Sequence, residues 1–438
     1  MMTTKIGLRR EDKNEWETRV ALTPEAVRQL AQDGLEICVE RFPRRAFPDG
    51  EYEAAGAQLV DDVADCDLVL GIKEMPHTVF RANGAYMFFS HTIKGQPYNM
   101  QMLAELVARG CTLLDYETVV DENKQRLIFF GRFAGIAGAV DTLWTVGRRL
   151  DALGVATPFS QLEPCHWYAD LGSVTRAVEH VGKQIAAAGV PDSIAPIVIG
   201  ITGYGHVSQG AQEIIDLLPH QEVSPSELPA FIAESNATTD KVIKVVYKEQ
   251  DLVEPIDDTR VFNLQDYYDN GDSYRSKFGP HLELLTVLIN GIYWDERYPK
   301  LADEDLLRRL FAGSEPARLT VVGDITCDVD GSLACTVRDT DPGDPSYVYD
   351  PVTRDGTSGF EGPGLAVMAV GNLPCELPRE ASEMFSNALM PYMRQMAAAD
   401  WHLSDFEQAS LPEPIRRSVI LWRGEFTSGY EYMAEFLK

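Results

Sequence analysis

Residues 197–211 read IVIGITGYGHVSQGA. The first six (197–202) form an unbroken apolar run. Buried parallel strands carry such runs, because covering both faces of a sheet removes the polar alternation. Gly203, Tyr204, Gly205, His206 and Val207 follow directly, and a helical pattern begins by residue 212. Strand, glycine-rich turn and helix in that order form the setting of a dinucleotide fingerprint. The glycines let the backbone turn sharply and approach a pyrophosphate resting on the helix N-terminus. Gly210 falls one residue later than the usual GxGxxG spacing, and a tight βα turn without a ligand is the plain alternative.

The strand after such a turn ends in an acid where it reads a ribose 2′-hydroxyl. Around residues 222–225 (EVSP) the expected tip is Ser224, with Glu222 inside the strand. A small neutral tip leaves room for a 2′-phosphate, which inclines the reading to NADP(H) over NAD(H). No arginine stands nearby to clamp that phosphate.

Two further apolar runs end in reactive side chains. DLVLGI (67–72) runs into Lys73, and AYMFF (85–89) runs into Ser90 and His91. Ligands of open α/β sheets bind beyond the carboxyl ends of the strands, so this lysine and histidine are expected to face one crevice. Such a pair exchanges protons near neutral pH when burial depresses the lysine. Alone, Lys73 reads as a solvated strand-end lysine and His91 as a structural histidine. It is their joint position that points to chemistry.

Around these runs, strand and helix alternate over the first ~130 residues, as in a parallel sheet. Strands are expected at 5–8, 35–39, 57–60, 68–72, 87–90 and 112–115, with helices at 25–33 and 99–109. Thr23 and Pro24 supply a capping residue and an N1 proline ahead of the first helix. From Phe133 the pattern changes to a long helical stretch that is rich in small residues early on. This fits a helix packed closely on another backbone and leading into a second domain. Further strands are expected at 197–201, 242–246, 287–290, 319–322 and 364–370, and a helix at 380–399. Residues 338–364, dense in Asp, Pro and Gly, read as a long loop.

The chain has 438 residues, 45% of them hydrophobic, and a formal charge of −28. That charge argues against nucleic acid and gives no reason to expect a membrane surface as partner. An anionic substrate would need a locally basic pocket, for which Arg9, Arg10 and Arg19 are candidates. The seven cysteines are scattered, with no CxxC pair, as expected of thiols in a reducing cytoplasm. No metal site is expected, and His166, His180 and His402 read as structural.

Taken together, LRREDKNEWETRVALTP, LGIKEMP, FFSHTIKGQ, FAGIAGAVDTL, TGYGHVSQGAQ, LINGIYW and NLPCELPREASEMF span residues 8–385 in one order. In them the chain resembles the lysine-ketoglutarate reductase module of the aminoadipic semialdehyde synthases. It is more distantly similar to lysine-forming saccharopine dehydrogenase and to alanine dehydrogenase. The resemblance implies an α/β protein of two Rossmann-like domains with parallel sheets separated by a cleft. Residues 1–134 and 372–438 would form a substrate domain, and 135–371 a dinucleotide-binding domain.

It also implies NAD(P)H-dependent condensation of lysine with 2-oxoglutarate to saccharopine. Lys73 would serve the amine nitrogen and His91 the carbinolamine oxygen, with Glu74 and Glu117 tuning both. Arg19, Gln96 and Arg126 would hold substrate carboxylates, arginine being favoured for its fork of donors, and Phe130 would wall the pocket. Asn290, Gly291 and Asp324 would lie beside the cofactor, and LPREASEMF would close behind the nicotinamide. Either splitting of saccharopine would fall to a separate saccharopine dehydrogenase polypeptide, or the module would serve another route. The competing expectations are an opine-type imine reductase with another amine or oxo acid, and a catalytically silent nucleotide-binding regulator.

Overall fold

The computed structural model describes residues 4–234, 238–313 and 316–438. The chain divides into two compact units, Met1–Phe130 with Pro378–Lys438, and Gly131–Leu377.

Unit 1 is built on strands β1 (Lys5–Leu8), β2 (Glu36–Glu40), β3 (Gln58–Val60), β4 (Leu68–Leu70), β5 (Ala85–Phe88) and β6 (Thr112–Asp115), joined at one edge by β17 (Val419–Trp422) and β18 (Glu425–Phe426). The order is β18-β17-β6-β5-β4-β1-β2-β3. The six central strands run parallel, and β17 and β18 are antiparallel. Leu68, Leu70, Ala85 and Met87 bury into one core, whereas Val69, Tyr86 and Phe88 bury into the other. With both faces covered, a strand cannot alternate, which is why these runs read as unbroken hydrophobic segments.

The first helix, Pro24–Gln32, forms as its sequence dictates. The Thr23 hydroxyl accepts from Ala26 N, proline occupies the first turn, and Ala26, Val27 and Leu30 bury one face. Gly34 then turns the chain at φ 85°.

Unit 2 carries β7 (Val198–Thr202), β8 (His220–Glu222), β9 (Val242–Tyr247), a small antiparallel ribbon of β10 (Val253–Pro255) and β11 (Tyr274–Ser276), then β12 (Val287–Asn290), β13 (Val321–Asp324), β14 (Ser346–Asp350), β15 (Asp355–Ser358) and β16 (Leu365–Met368). Its main sheet has the order β15-β14-β16-β13-β12-β7-β9-β8. The stretch 338–364, expected to be a loop, contains the hairpin β14–β15, antiparallel to β16. Turn residues around it hide a short strand whose Tyr347 and Tyr349 are fully buried. The Tyr347 hydroxyl donates to Cys335 O at 2.8 Å.

In each sheet the order crosses from one side of its first strand to the other, between β1 and β4 in unit 1 and between β7 and β12 in unit 2. At such a crossing the flanking loops diverge to opposite faces and leave a crevice at the carboxyl ends. No helix of the described residues is long and apolar enough to cross a membrane.

The long helix Gly131–Ala152 packs on the helix His206–Ile215 through facing glycines. A Cβ on Gly135 would stand 1.9 Å from Val207 O, and one on Gly210 would stand 2.1 Å from Arg132 O. Both obstacles are backbone atoms, so no rotamer change relieves them. Gly135→Ala is therefore expected to cost about 3 kcal/mol or more by forcing the helices apart, read as a lowered midpoint in chemical denaturation. Ala137→Gly on the same helix should cost only about 1 kcal/mol.

Candidate active site

In unit 1 the loops that leave β1, β4 and β5 converge at this crossing. The loop after β1 brings Glu11, Lys13, Glu17 and Arg19; β4 leads into Lys73 and Glu74; β5 leads into Ser90 and His91. The buried Glu11 carboxylate accepts from Ile72 N at 2.7 Å and from Lys73 N at 3.0 Å, fixing the point where the chain leaves β4. Burial, and secondarily the charge of Glu17, push the Glu11 carboxyl up to about 7.

Lys73 itself is partly buried. Burial and the neighbouring Arg19 charge pull its ammonium below the ordinary lysine range. Glu74 holds His91 Nδ1 at 2.8 Å and Lys13 Nζ at 3.0 Å. Burial pushes the Glu74 carboxyl up, but the hydrogen bond and charge of His91 and the ammonium of Lys13 outweigh it. The result lies well below the usual carboxylate range.

His91 sits in the left-handed region at φ 48°, a conformation that costs a non-glycine residue free energy and persists only where its surroundings impose it. Those surroundings are visible. Asn99 Nδ2 donates to Ser90 O at 2.9 Å and to His91 O at 3.3 Å, and also reaches Glu74 Oε1 at 3.3 Å. The Ser90 amide and hydroxyl both bond Asp115, whose carboxyl is raised to about 6 by burial. The imidazole stacks on Phe89, with ring centroids 6.3 Å apart. One histidine is thus clamped by backbone, ring and carboxylate together.

The other expected residues divide. Arg19 is buried, its Nε and one terminal nitrogen bound to Glu17 at 2.8 and 2.6 Å. Its guanidinium lies 4.2 Å over the Phe130 ring. Phe130 stacks on Phe385 at 4.7 Å, in a group that includes Phe89 and Tyr116. Gln96 sits at the N-cap of the helix Pro97–Ala108, and its buried Oε1 has no hydrogen-bond partner among the described residues.

Glu117 and Arg126 are bonded to one another. The LPREASEMF segment opens the helix Pro378–Ala398, where the Ser382 and Ser386 hydroxyls accept from Val20 N and Thr23 N on either side of Ala21 and Leu22. Glu11, Lys13, Glu17, Asn99 and Asp115 were not singled out from the sequence. Glu11 and Glu17 stand in a polar stretch that reads as a solvated loop, and nothing local marks them as buried.

In unit 2, Gly203 adopts φ +84°, a conformation glycine takes without strain, and a Cβ there would meet Gly291 O at 3.3 Å. Around Gly205 nothing lies within 4 Å of a would-be Cβ, so the turn stays open over the start of the helix His206–Ile215. Ser208 Oγ donates back to Gly203 O at 2.7 Å and holds the turn. An open glycine turn on a helix N-terminus fits the pyrophosphate of a dinucleotide.

Asn290 is buried. It accepts from Thr202 Oγ1 at 2.7 Å and donates to Asp324 Oδ1 at 2.9 Å and to Ser332 Oγ at 3.0 Å. Asp324, which burial raises above the ordinary range, also accepts from Thr326 and Thr336. These two residues therefore brace the strand ends beneath the turn. Gly291 N donates to Thr202 Oγ1 at 3.3 Å. Val207 lies against Gly291, with Val207 Cγ1 3.1 Å from a would-be Cβ there. Tyr204 and His206 are exposed at the turn. Ser224 follows β8, which pairs with β9 and not with β7, so it stands one strand farther from the turn than a tip residue should.

Two families match the chain: Alanine dehydrogenase/PNT, N-terminal domain, over residues 7–137, and Alanine dehydrogenase/PNT, C-terminal domain, over residues 275–429. An alpha-aminoadipic semialdehyde synthase of Arabidopsis thaliana is 36% identical over 99% of this chain and 41% of its own length. The mitochondrial synthase of Bos taurus is 34% identical over 98% of the chain and 47% of its own length. The chain thus spans less than half of these relatives. A saccharopine dehydrogenase [NAD(+), L-lysine-forming] of Yarrowia lipolytica is 30% identical over 90% of this chain and 93% of its own length. Among solved structures, an L-alanine dehydrogenase superposes with a TM-score of 0.62 at 19% identity, covering 99% of this chain and 100% of its own. A transhydrogenase from Sinorhizobium meliloti gives 0.55 at 16%, covering 97% and 100%. Both share the fold.

Glu11 gives this site a pH signature. Its carboxyl is raised from 4.5 to about 7, so the folded chain holds a proton that the unfolded chain releases. Stability should then fall as pH rises from about 4.5 to about 7 and level off above. Over that window Glu11→Gln is expected to remove a decline of about 3 kcal/mol, whatever its offset. The check is the difference between wild-type and variant denaturation midpoints across pH 4–9; parallel curves would overturn it.

Proposed function

From the premise that this chain belongs to the family of the lysine-forming saccharopine dehydrogenases, we propose that it condenses lysine with 2-oxoglutarate and reduces the product to saccharopine. Its relatives make it an NAD(P)-dependent oxidoreductase acting on a CH–NH bond. The substrates, the reductive direction and NADP(H) as the favoured cofactor are the proposed part. The observation that carries the reading is a partly buried lysine of lowered pKa at the end of β4 and a carboxylate-held histidine at the end of the adjacent β5.

The chemistry asks for proton traffic at two atoms. The ε-amine of lysine attacks the keto carbon, forming a C–N bond and a carbinolamine. Loss of water then leaves the imine. Lys73, whose ammonium burial and the Arg19 charge pull below the ordinary lysine range, takes the proton that the attacking nitrogen must shed. His91 delivers a proton to the departing oxygen. With Nδ1 fixed on Glu74, Nε2 is the nitrogen that exchanges it. Gly203 and Gly205 would hold the dinucleotide, whose reduced nicotinamide would supply hydride for the imine carbon.

Arg19 and Gln96 meet substrate carboxylates, with Phe130 as an apolar wall under the guanidinium. Glu17 already offsets the Arg19 charge, so an arriving carboxylate is held by hydrogen bonding to the guanidinium more than by net charge. Arg126, tied to Glu117 and half exposed, joins them only by leaving that partner.

The test is oxidation of reduced nicotinamide by the purified chain, dependent on both lysine and 2-oxoglutarate, with saccharopine identified by mass. Lys73→Met should lower kcat by about 10²–10⁴-fold, still bind nucleotide, and lose the ascending limb of the pH profile, because the base works deprotonated. Arg19→Lys should raise the KM for 2-oxoglutarate by about tenfold or more, as expected for loss of a charge-assisted hydrogen bond. Turnover with neither lysine nor 2-oxoglutarate required would overturn the assignment.

A further inference from the structure

The strand order of unit 2 relocates the adenosine end of the cofactor site. In a Rossmann sheet the adenosine ribose is read at the tip of the strand lying next to the glycine-rich strand. In sequence the next strand after β7 is β8, but in space the neighbour is β9. β9 pairs with β7 along five residues, ending at Thr202 opposite Tyr247, and Gly203 N donates to Tyr247 O at 2.9 Å. β8 has three exposed residues and pairs only with the outer side of β9. Neighbouring strands lie about 4.8 Å apart, so its tip is about a strand's width too far out.

The residue that leaves β9 at the level of the turn is Lys248. Its Nζ stands 5.7 Å from the centroid of the Tyr204 ring, in the middle of Gly203-Tyr204-Gly205. Its backbone N donates to Asp251 Oδ2 at 2.9 Å, which starts the helical turn Glu249–Leu252 and sets where the side chain emerges. Lys248 is exposed, and among the described residues its ammonium forms no ion pair, in a chain of net charge −28. The neighbouring acid is engaged, since Glu249 Oε1 accepts from the Tyr268 hydroxyl at 2.8 Å. At the tip of β8 no cation is offered among the described residues. Ser224 Oγ donates to the exposed Glu227 carboxylate at 2.5 Å, which would repel a phosphate.

We propose that Lys248, not Ser224, recognises the 2′-phosphate of NADP(H), beside the Tyr204 ring. The inference rests on the reading of unit 2 as a nicotinamide dinucleotide site and names the residue that sets its preference. A mobile ammonium suits this task as a point charge toward a phosphate at a solvent edge.

The test is direct binding by the full chain, followed by calorimetry with adenosine 2′,5′-bisphosphate and with AMP, and by nicotinamide fluorescence with NADPH and NADH. Wild type should prefer the 2′-phosphorylated member of each pair. Lys248→Ala should weaken those two by about tenfold or more and leave AMP and NADH nearly unchanged. Lys248→Arg should restore the preference, and Lys248→Glu should invert it. Equal weakening of both members of each pair, a preference that follows Ser224→Ala instead, or a wild type that favours NADH would each overturn the assignment. A wild type that binds no nicotinamide nucleotide at all would fail the reading of unit 2 itself, a result distinguishable from these.

Discussion

The two hydrogen bonds that the amides of Ile72 and Lys73 donate to the Glu11 carboxylate tie the end of β4 to the loop that follows β1, and the charges around Lys73 are arranged about that tie. A parallel strand that stops leaves amides without a partner, and burying them unpaired is costly. Meeting them with a carboxylate from the adjacent strand's loop satisfies the backbone and places Lys73. It also brings Glu17 and Arg19 to the same place. The lysine is then held at the edge of an apolar region beside another cation, which is the condition that lowers its pKa.

His91 shows the same economy from the other side of β4. Its left-handed backbone is imposed by Asn99 and by the buried Ser90–Asp115 bonds, and its ring is set by Phe89 and Glu74. None of these contacts needs a substrate. Groups held by their own contacts in this way need little binding energy spent on ordering them. The aromatic group of Phe89, Tyr116, Phe130 and Phe385 gives Arg19 a flat wall to lie on.

Unit 2 rests on a steric constraint. Gly135 and Gly210 let the long helix and the helix behind the glycine turn meet at backbone distance. Beneath the turn, Thr202, Asn290, Asp324, Ser332 and Thr336 form one hydrogen-bonded set across the ends of β7, β12 and β13. Rigid strand ends are what allow a short loop to present its amides in a fixed direction.

Much of this was legible in the chain. Unbroken apolar runs marked the parallel strands because both faces of each sheet are covered, and Thr23-Pro24 and Gly34 marked the first helix. Lys73, His91 and the glycine turn could be picked out because each ends a strand-like run, a property of neighbouring residues. The hairpin β14–β15 was missed because its flanking turn residues outweigh a five-residue strand. The pairing of Glu117 with Arg126, the bond of Glu17 to Arg19 and the capping by Glu11 join residues from separate segments or depend on burial, and no local pattern encodes either. Lateral strand order is of the same kind. The sequence by itself determined most of the parallel strands and which side chains stand at their ends, since these follow from local periodicity. Only the tertiary structure decided that β9 rather than β8 lies against β7, because that depends on how the strands pair across the sheet, and with it which residue stands beside the turn.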